Sequence, residues 1–449
     1  MKSLKRGSRV ITAIISVFLI GMGILVYKLM SEAAFYASHS STVKLGYVYD
    51  CNGDILFDDN AQEGDYPEGH FKDVGNLIGD TSGQMSNTLV NKNLEKLSNY
   101  SFTAGIDNKN GKAAIYSTLN HSANEKVYSA FGEKDGCAIA YNYKTGEILV
   151  CVSKPNIDPI KGYADIENLP NGSLLCKAFS TTVPGSTQKV ATLIAASETM
   201  GMDKLKEKSY SCEGVYKNKT DLDIICHNEY GHGTQNITEA FANSCNPFFA
   251  QLVEDPDWSI SDIEKVYNRM GISVNNSEQE NILVSGIVCD YASTDLKNKN
   301  EFDTQWGCIG QGTTMVSPCQ MMMWESAIAN GTGRATVPYL IDYVTNVNGR
   351  ITETAETTHT EQLFSASTAK DVREIMLENG SNNYSGIGYP VGVKSGTAQV
   401  KHGDEENSLL TGFVDDESFP IAFAILIENR ESHEVSTDHI ASVMLDSLK

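Results

Sequence analysis

The chain opens on an apolar run, residues 10–27, that contains no charged residue. Its length is near that of a helix spanning the roughly 30 Å hydrocarbon core of a bilayer. Residues 31–111 are polar and rich in Gly, Asn, Asp and Ser. Within them, residues 43–56 read as a hairpin turning at Asp50-Cys51-Asn52-Gly53. Two β-rich apolar runs follow at 137–141 and 147–153, joined by a turn at Lys144-Thr145-Gly146. Helical spacing then takes over. Val190, Leu193, Ile194 and Ser197 predict a helix over 187–200, closed by Gly201. Residues 237–243 predict a second helix. Ser317-Pro318-Cys319-Gln320 predicts a capping box with proline at the first helical position, opening a helix that runs to Asn330, with Met321, Met322 and Met323 as core filler. Three strand-like runs end the chain, at 392–400, 409–414 and 421–427, with a polar loop at 402–407. Strands at both ends of this region and helices between them predict an α/β (α+β) domain, with an antiparallel sheet sandwiched by helices.

Charge divides the chain further. The first thirty residues hold Lys2, Lys5, Arg6, Arg9 and Lys28 and no acid, so the net charge of −22 leaves −27 on the remainder. An acidic body of this kind argues against nucleic acid or anionic lipid as a ligand and reads as a solubility charge. The basic residues lie mainly before the apolar run, which predicts a cytoplasmic N-terminus and an extracytoplasmic body. A cleaved signal peptide is the competing reading, but its apolar core is usually shorter, roughly 7–15 residues. The expected division is residues 1–30 as tail and transmembrane anchor, 31–111 as a small β-rich pedestal, and 112–449 as the main domain.

The ten cysteines show no zinc pattern such as C-x-x-C, and no metal or cofactor is expected. Outside the cytoplasm disulfides are allowed. Cys212 and Cys226 flank a polar stretch and can pair, and Cys137 and Cys151 sit on adjacent predicted strands. For the set as a whole, burial as small hydrophobes is the expectation. His232 reads as a loop histidine without an acidic partner, and Cys245 as packing.

Three short motifs carry chemistry: Ser186-x-x-Lys189, Ser244-x-Asn246 and Lys394-Ser395-Gly396-Thr397. Each alone is weak. Ser-x-x-Lys recurs at Ser41/Lys44 and Ser367/Lys370, Ser-x-Asn at Ser273/Asn275 and Ser381/Asn383, and Lys-Thr-Gly at Lys144. Context selects among them. Pro184-Gly185 stops any earlier helix, so Ser186 starts one and Lys189 falls on the same face a turn later. Ser41/Lys44 lies in a strand-like stretch, and Ser367 reads as a plain helix cap. Pro247 disfavours helical geometry at Asn246, which places Ser244 and Asn246 on a turn between two helices. Ser273/Asn275 and Ser381/Asn383 read as loops.

A serine hydroxyl is a poor nucleophile unless a neighbour takes its proton. Lys189 can do so when neutral, and burial beside a second cation, Lys394, would lower its pKa. On a strand Ser395 and Thr397 point one way, ready to hold a carboxylate, and Lys394 points the other. Gly396 lets a ligand backbone lie close. Ser244 can relay a proton to a leaving amine, and Asn246 offers a donor and an acceptor to a peptide amide. The N–H groups of Ser186 and Thr397 would form the oxyanion hole.

These residues resemble the penicillin-binding transpeptidases. Val183-Pro184-Gly185-Ser186-Thr187-Gln188-Lys189 resembles the family's P-G-S-T-x-K turn, Ser244-Cys245-Asn246 its S-C-N motif, and Lys394-Ser395-Gly396-Thr397-Ala398 its K-[ST]-G-T-A strand. Ile309-Gly310-Gln311-Gly312 and Ser317-Pro318-Cys319-Gln320 are similar to its G-Q-G and T-P-x-Q segments. The resemblance covers residues 112–449. It implies attack by Ser186 on the D-Ala-D-Ala end of a peptidoglycan stem peptide and transfer to a neighbouring amine, in cell-wall synthesis serving cell division or cell shape. It also implies covalent binding of β-lactams. The short span before residue 112 leaves no room for a glycosyltransferase domain, which implies the monofunctional, class B-like branch and a separate glycosyltransferase partner. Asp50-Cys51-Asn52-Gly53 resembles that branch's D-R-N-G, with Cys in place of Arg.

Two departures stand out. Cys176-Lys177-Ala178 stands where the family often has N-R-A, and Ser408-Leu409-Leu410-Thr411-Gly412-Phe413 lacks its usual Trp-Phe pair, a difference on the acceptor side. The competing readings are a D,D-carboxypeptidase with water as acceptor, a β-lactamase or β-lactam sensor, and a catalytically vestigial divisome scaffold. No deacylating glutamate motif can be located, and class D enzymes have S-x-V where this chain has Ser244-x-Asn246.

Overall fold

The structure, a computed structural model, describes residues 2–38, 45–98, 100–101, 105–106, 112–163, 166–429 and 435–449. Its first helix, Lys2–Ser38, contains the apolar run. The segment Arg9–Lys28 has a mean hydropathy of 2.5 and is wholly exposed. It is long and apolar enough to cross a bilayer.

The central sheet has five antiparallel strands in the order Val391–Val400, Glu405–Val414, Ile421–Ile427, Gly136–Asn142, Ile148–Lys154. The chain's last strands therefore pair with the region's first: Ile421–Ile427 lies against Gly136–Asn142, with Ala424 opposite Ile139. Both faces are buried. Side chains two apart share a face, so Ala138 and Ala140 enter one core and Ile139 and Tyr141 the other. Burial on both faces explains why Ile421–Ile427 reads as a continuous apolar run and not as an alternation. His121–Ala130 and Thr437–Leu448 cover one face, through Val127, Met444 and Leu445. Pro318–Ala329, every residue of which is buried, covers the other. The helix-sandwiched sheet expected from the sequence is present.

A second five-stranded sheet runs Ile351–Thr354, Ile341–Thr345, Ala114–Ser117, Tyr47–Tyr49, Ile55–Asp58. It draws strands from both sides of residue 111. The hairpin at Asp50 forms as expected. The buried Asp50 carboxylate accepts from the N–H groups of Asn52 and Asp54 at 2.8 Å, and from His121 N–H at 3.1 Å. One acid thus fixes the turn and ties it to the helix that follows.

Several local expectations are corrected. Ser365, not Ser367, caps the Ala366–Asn383 helix, and Ser381 and Asn383 lie in its last turn and not in a loop. Ser273 lies in a short strand, Ile272–Val274. Ser41/Lys44 lies outside the described residues. The capping box at Ser317 is half formed. Ser317 Oγ accepts from Gln320 N–H at 3.3 Å, but the Gln320 side chain turns away to Ala292 N and to the carbonyls of Met270 and Gly271. The strand Glu405–Val414 begins inside the stretch expected to be a polar loop.

Candidate active site

The nucleophile turn depends on a glycine. Gly185 sits at φ +54°, and a Cβ there would lie 2.5 Å from Thr397 O. Its N–H donates to Gly310 O at 2.8 Å. Gly310 is equally tight, since a Cβ on it would meet Gly185 O at 1.9 Å. Only residues without a side chain let the turn press between the Val391–Val400 strand and the Gly310-Gln311-Gly312 segment. Gly185–Gln188 then forms one 3₁₀ turn that runs into the Lys189–Met200 helix. The sequence predicted a helix with one apolar face; instead every residue from Lys189 to Ser197 is buried.

This helix start places Lys189 Nζ 2.9 Å from Ser186 Oγ. The second motif supplies the rest of the amine's surroundings. Ser244 adopts φ +50° between the helices Ile237–Ala242 and Asn246–Glu254. That kink aims both Ser244 and Asn246 at Lys189. Lys189 Nζ lies 2.7 Å from Ser244 O, 3.3 Å from Ser244 Oγ and 2.7 Å from Asn246 Oδ1. The third motif arrives from the strand, with Lys394 Nζ 3.0 Å from Ser244 Oγ and 2.8 Å from Ser395 O. Ser186, Lys189, Ser244, Asn246 and Lys394 therefore form one hydrogen-bonded set.

Ser395 and Thr397 are half-buried, whereas Lys394 between the two motifs is buried, in line with strand alternation. Gly396 has a nearer neighbour than any ligand. A Cβ there would meet Pro184 O at 2.8 Å and Thr187 N at 3.0 Å, so its smallness seats the strand on the nucleophile turn.

Burial, and then the charge of Lys394, hold the Lys189 pKa well below the ordinary lysine value. Burial draws Lys394 down to about 7. The rings of Phe249 and Phe241 lie 5.5 Å and 5.7 Å from the two ammonium nitrogens and favour the charged forms. Such contacts contribute about 0.5–2 kcal/mol, less than the cost of burying a lysine charge fully. Desolvation prevails and favours the uncharged form of Lys189, which beside a serine hydroxyl is the arrangement of an activated nucleophile.

Some contacts escaped sequence reasoning. Tyr384 OH donates to Ser395 Oγ at 2.5 Å and orients that hydroxyl; no motif marks it. Gln311 Nε2 donates to Thr397 O at 3.4 Å. Lys177, the departure from N-R-A, pairs with Glu428 at 2.6 Å, just after Ile421–Ile427. Neither of the two possible cysteine pairs forms: all ten thiols are free, and nine are buried, as expected for small hydrophobes. Cys137 stands opposite Ser153 and Cys151 opposite Ile139. Cys212, Cys226 and Cys245 instead gather with His232, ligand atoms within 4.8 Å of one another. The spacing, Cys212-x13-Cys226-x5-His232-x12-Cys245, was legible but matched no compact metal pattern, because two antiparallel strand pairs and a helix cap bring the four together.

Residues 136–445 match the penicillin binding protein transpeptidase domain, and the chain belongs to that family. It is 28% identical over 329 residues to stage V sporulation protein D of Bacillus subtilis, covering 69% of this chain and 48% of that protein. The chain thus spans about half the length of that relative. It is 25% identical over 360 residues to the peptidoglycan D,D-transpeptidase PbpA of Mycolicibacterium smegmatis, covering 73% of this chain and 69% of that one. Its fold matches penicillin-binding protein A of Mycobacterium tuberculosis in a ceftriaxone acyl-enzyme complex, with a TM-score of 0.77 at 18% identity, over 91% of this chain and 99% of that one.

Proposed function

We propose that the chain is a serine D,D-transpeptidase that cross-links peptidoglycan stem peptides. The observation that carries this reading is the 2.9 Å approach of Lys189 Nζ to Ser186 Oγ, with Ser244 Oγ within reach of both lysines. Neutral Lys189 takes the Ser186 proton as the oxygen attacks the penultimate D-Ala carbonyl. The N–H groups of Ser186 and Thr397 hold the developing oxyanion. Ser244 passes a proton to the departing D-Ala amine, and Lys394 supports the Ser244 hydroxyl. Asn246 holds the donor peptide amide, and Ser395 and Thr397 receive the terminal carboxylate beside Gly396. An acceptor amine then attacks the ester and restores Ser186. β-Lactams acylate the same oxygen. The Mycobacterium tuberculosis neighbour is known as a β-lactam acyl-enzyme, and the Mycolicibacterium relative is named for this reaction; both support the reading.

In this reading the first helix anchors the chain in a bacterial membrane as a single span, with the catalytic domain outside. A separate glycosyltransferase supplies the glycan strands. The three-part division at 1–30, 31–111 and 112–449 describes roles, with the pedestal sheet completed by strands of the catalytic part.

The test is incubation with a stem pentapeptide ending in D-Ala-D-Ala and an acceptor amine, read by mass spectrometry. Release of D-Ala with a cross-linked product is expected. Release without cross-linking would assign a carboxypeptidase, and rapid multiple-turnover nitrocefin hydrolysis a β-lactamase. No D-Ala release would leave a scaffold.

A further inference from the structure

We propose that Cys212, Cys226, His232 and Cys245 bind one zinc ion, which fixes the Ser244-Cys245-Asn246 turn from behind.

Three thiols and an imidazole are the donors zinc takes in closed, four-ligand sites. The geometry agrees. A tetrahedral ion with Zn–S near 2.3 Å and Zn–N near 2.0 Å sets its ligand atoms about 3.5–3.8 Å apart. His232 Nδ1 lies 3.4 Å from Cys226 Sγ and 3.8 Å from Cys212 Sγ. All four ligand atoms lie within 4.8 Å of one another. A disulfide joins two sulfurs and would leave the third thiol and the ring without a role. A mutual cluster is the shape of a cage around an ion. All three sulfurs belong to buried residues and His232 is half-buried, as in a site that holds a structural ion away from solvent.

The surrounding backbone is built to close this cage. Cys212 ends the strand Tyr210–Cys212, Cys226 follows Asp223–Ile225, and His232 precedes Gly233–Gln235. His232 N–H donates to Cys212 O at 3.0 Å, and Cys226 N–H to Gly214 O at 2.8 Å. Two glycines permit the approach. A Cβ on Gly231, at φ +74°, would meet Cys212 O at 2.1 Å, and one on Gly214, at φ +90°, would meet Glu229 O at 2.2 Å.

The fourth ligand connects the cage to the chemistry. Cys245 is the residue before the Asn246–Glu254 helix and stands between Ser244 and Asn246. Asn246 Nδ2 donates to Ile225 O at 3.0 Å, next to Cys226, so the turn touches the cage twice. The ion acts as a positioning element. It contacts no reacting atom, but it holds the residue between the two that contact Lys189.

The test uses the full chain, purified in detergent under reducing conditions without chelator. Elemental analysis should give one zinc per chain. Exchange for cobalt(II) should produce thiolate charge-transfer absorption and the visible bands of a tetrahedral ion. Cys212→Ser and His232→Ala should each weaken zinc binding by more than about tenfold. Zinc removal from the parent protein should slow penicillin acylation of Ser186 and lower Tm, and zinc return should restore both. Ser186→Ala should keep its zinc while forming no adduct, which separates this inference from the enzyme reading. A parent chain that takes up no zinc, or that loses two hydrogens in mass to a disulfide among these cysteines, would overturn the site. Equal acylation rates with and without zinc would overturn the positioning role.

Discussion

Lys189 and Lys394, which lie 205 positions apart in the chain, share one hydroxyl: Ser244 Oγ is 3.3 Å from the first nitrogen and 3.0 Å from the second. Two buried ammonium groups around one oxygen cannot both stay charged cheaply. Burial lowers both pKa values, and the charge of Lys394 lowers Lys189 further.

That coupling has a pH signature. In the proposed mechanism acylation by benzylpenicillin uses the free amine of Lys189, so its rate should hold at neutral pH and fall on acidification. Lys394→Gln removes a neighbouring positive charge, which raises the Lys189 pKa. The acid limb should therefore move to higher pH in this variant, whatever happens to the plateau. Stopped-flow acylation across pH checks this, and an unmoved limb would show that the two lysines do not interact.

Ser244 is the link between the lysines. Ser244→Ala leaves Lys189 its contacts with the backbone oxygen of residue 244, Asn246 and Ser186, but removes the hydroxyl that touches Lys394 and that is proposed to pass a proton onward. Loss of a proton-transfer group typically costs about 10²–10⁴ in rate. Acylation should fall within that range while Tm stays near that of the parent, measured by single-turnover labelling and calorimetry.

Glu325 makes a test of stability apart from catalysis. It is buried on the Pro318–Ala329 helix, and burial raises its pKa to about 8, opposed in part by Thr411. The unfolded chain releases this proton near the ordinary carboxylate value of 4.5. Between that value and about 8 the folded state binds the extra proton, so stability falls as pH rises through the window. The slope is about 1.4 kcal/mol per pH unit at most. Glu325→Gln should be progressively more stable than the parent from pH 5 to 8, and nearly equal to it at pH 4. Denaturation at several pH values checks the trend.

Much of this site was legible because its chemistry is local. Ser186 and Lys189 lie one helical turn apart, and Ser395 and Thr397 lie on one side of a strand, so spacing alone set their relation. Pro247 marked the turn at Ser244. Sequence reasoning fell short where distant segments decide. Tyr384 reaches Ser395 only because the Ala366–Asn383 helix ends beside the strand. Gly396 makes room for Pro184 and Thr187, which no reading along the chain can place. The second sheet recruits Ala114–Ser117 and Ile341–Thr345 across an expected boundary, since short polar strands carry little signal of their partners. His232 and the cysteines at 212, 226 and 245 each read as ordinary loop or core residues until three loops meet.

The most direct test of the central claim is intact mass after exposure to benzylpenicillin, for the parent chain and for Ser186→Ala. One penicilloyl adduct on the parent and none on the variant is the predicted result, with the modified peptide containing Ser186. An unmodified parent, or an adduct that persists in Ser186→Ala, would contradict it.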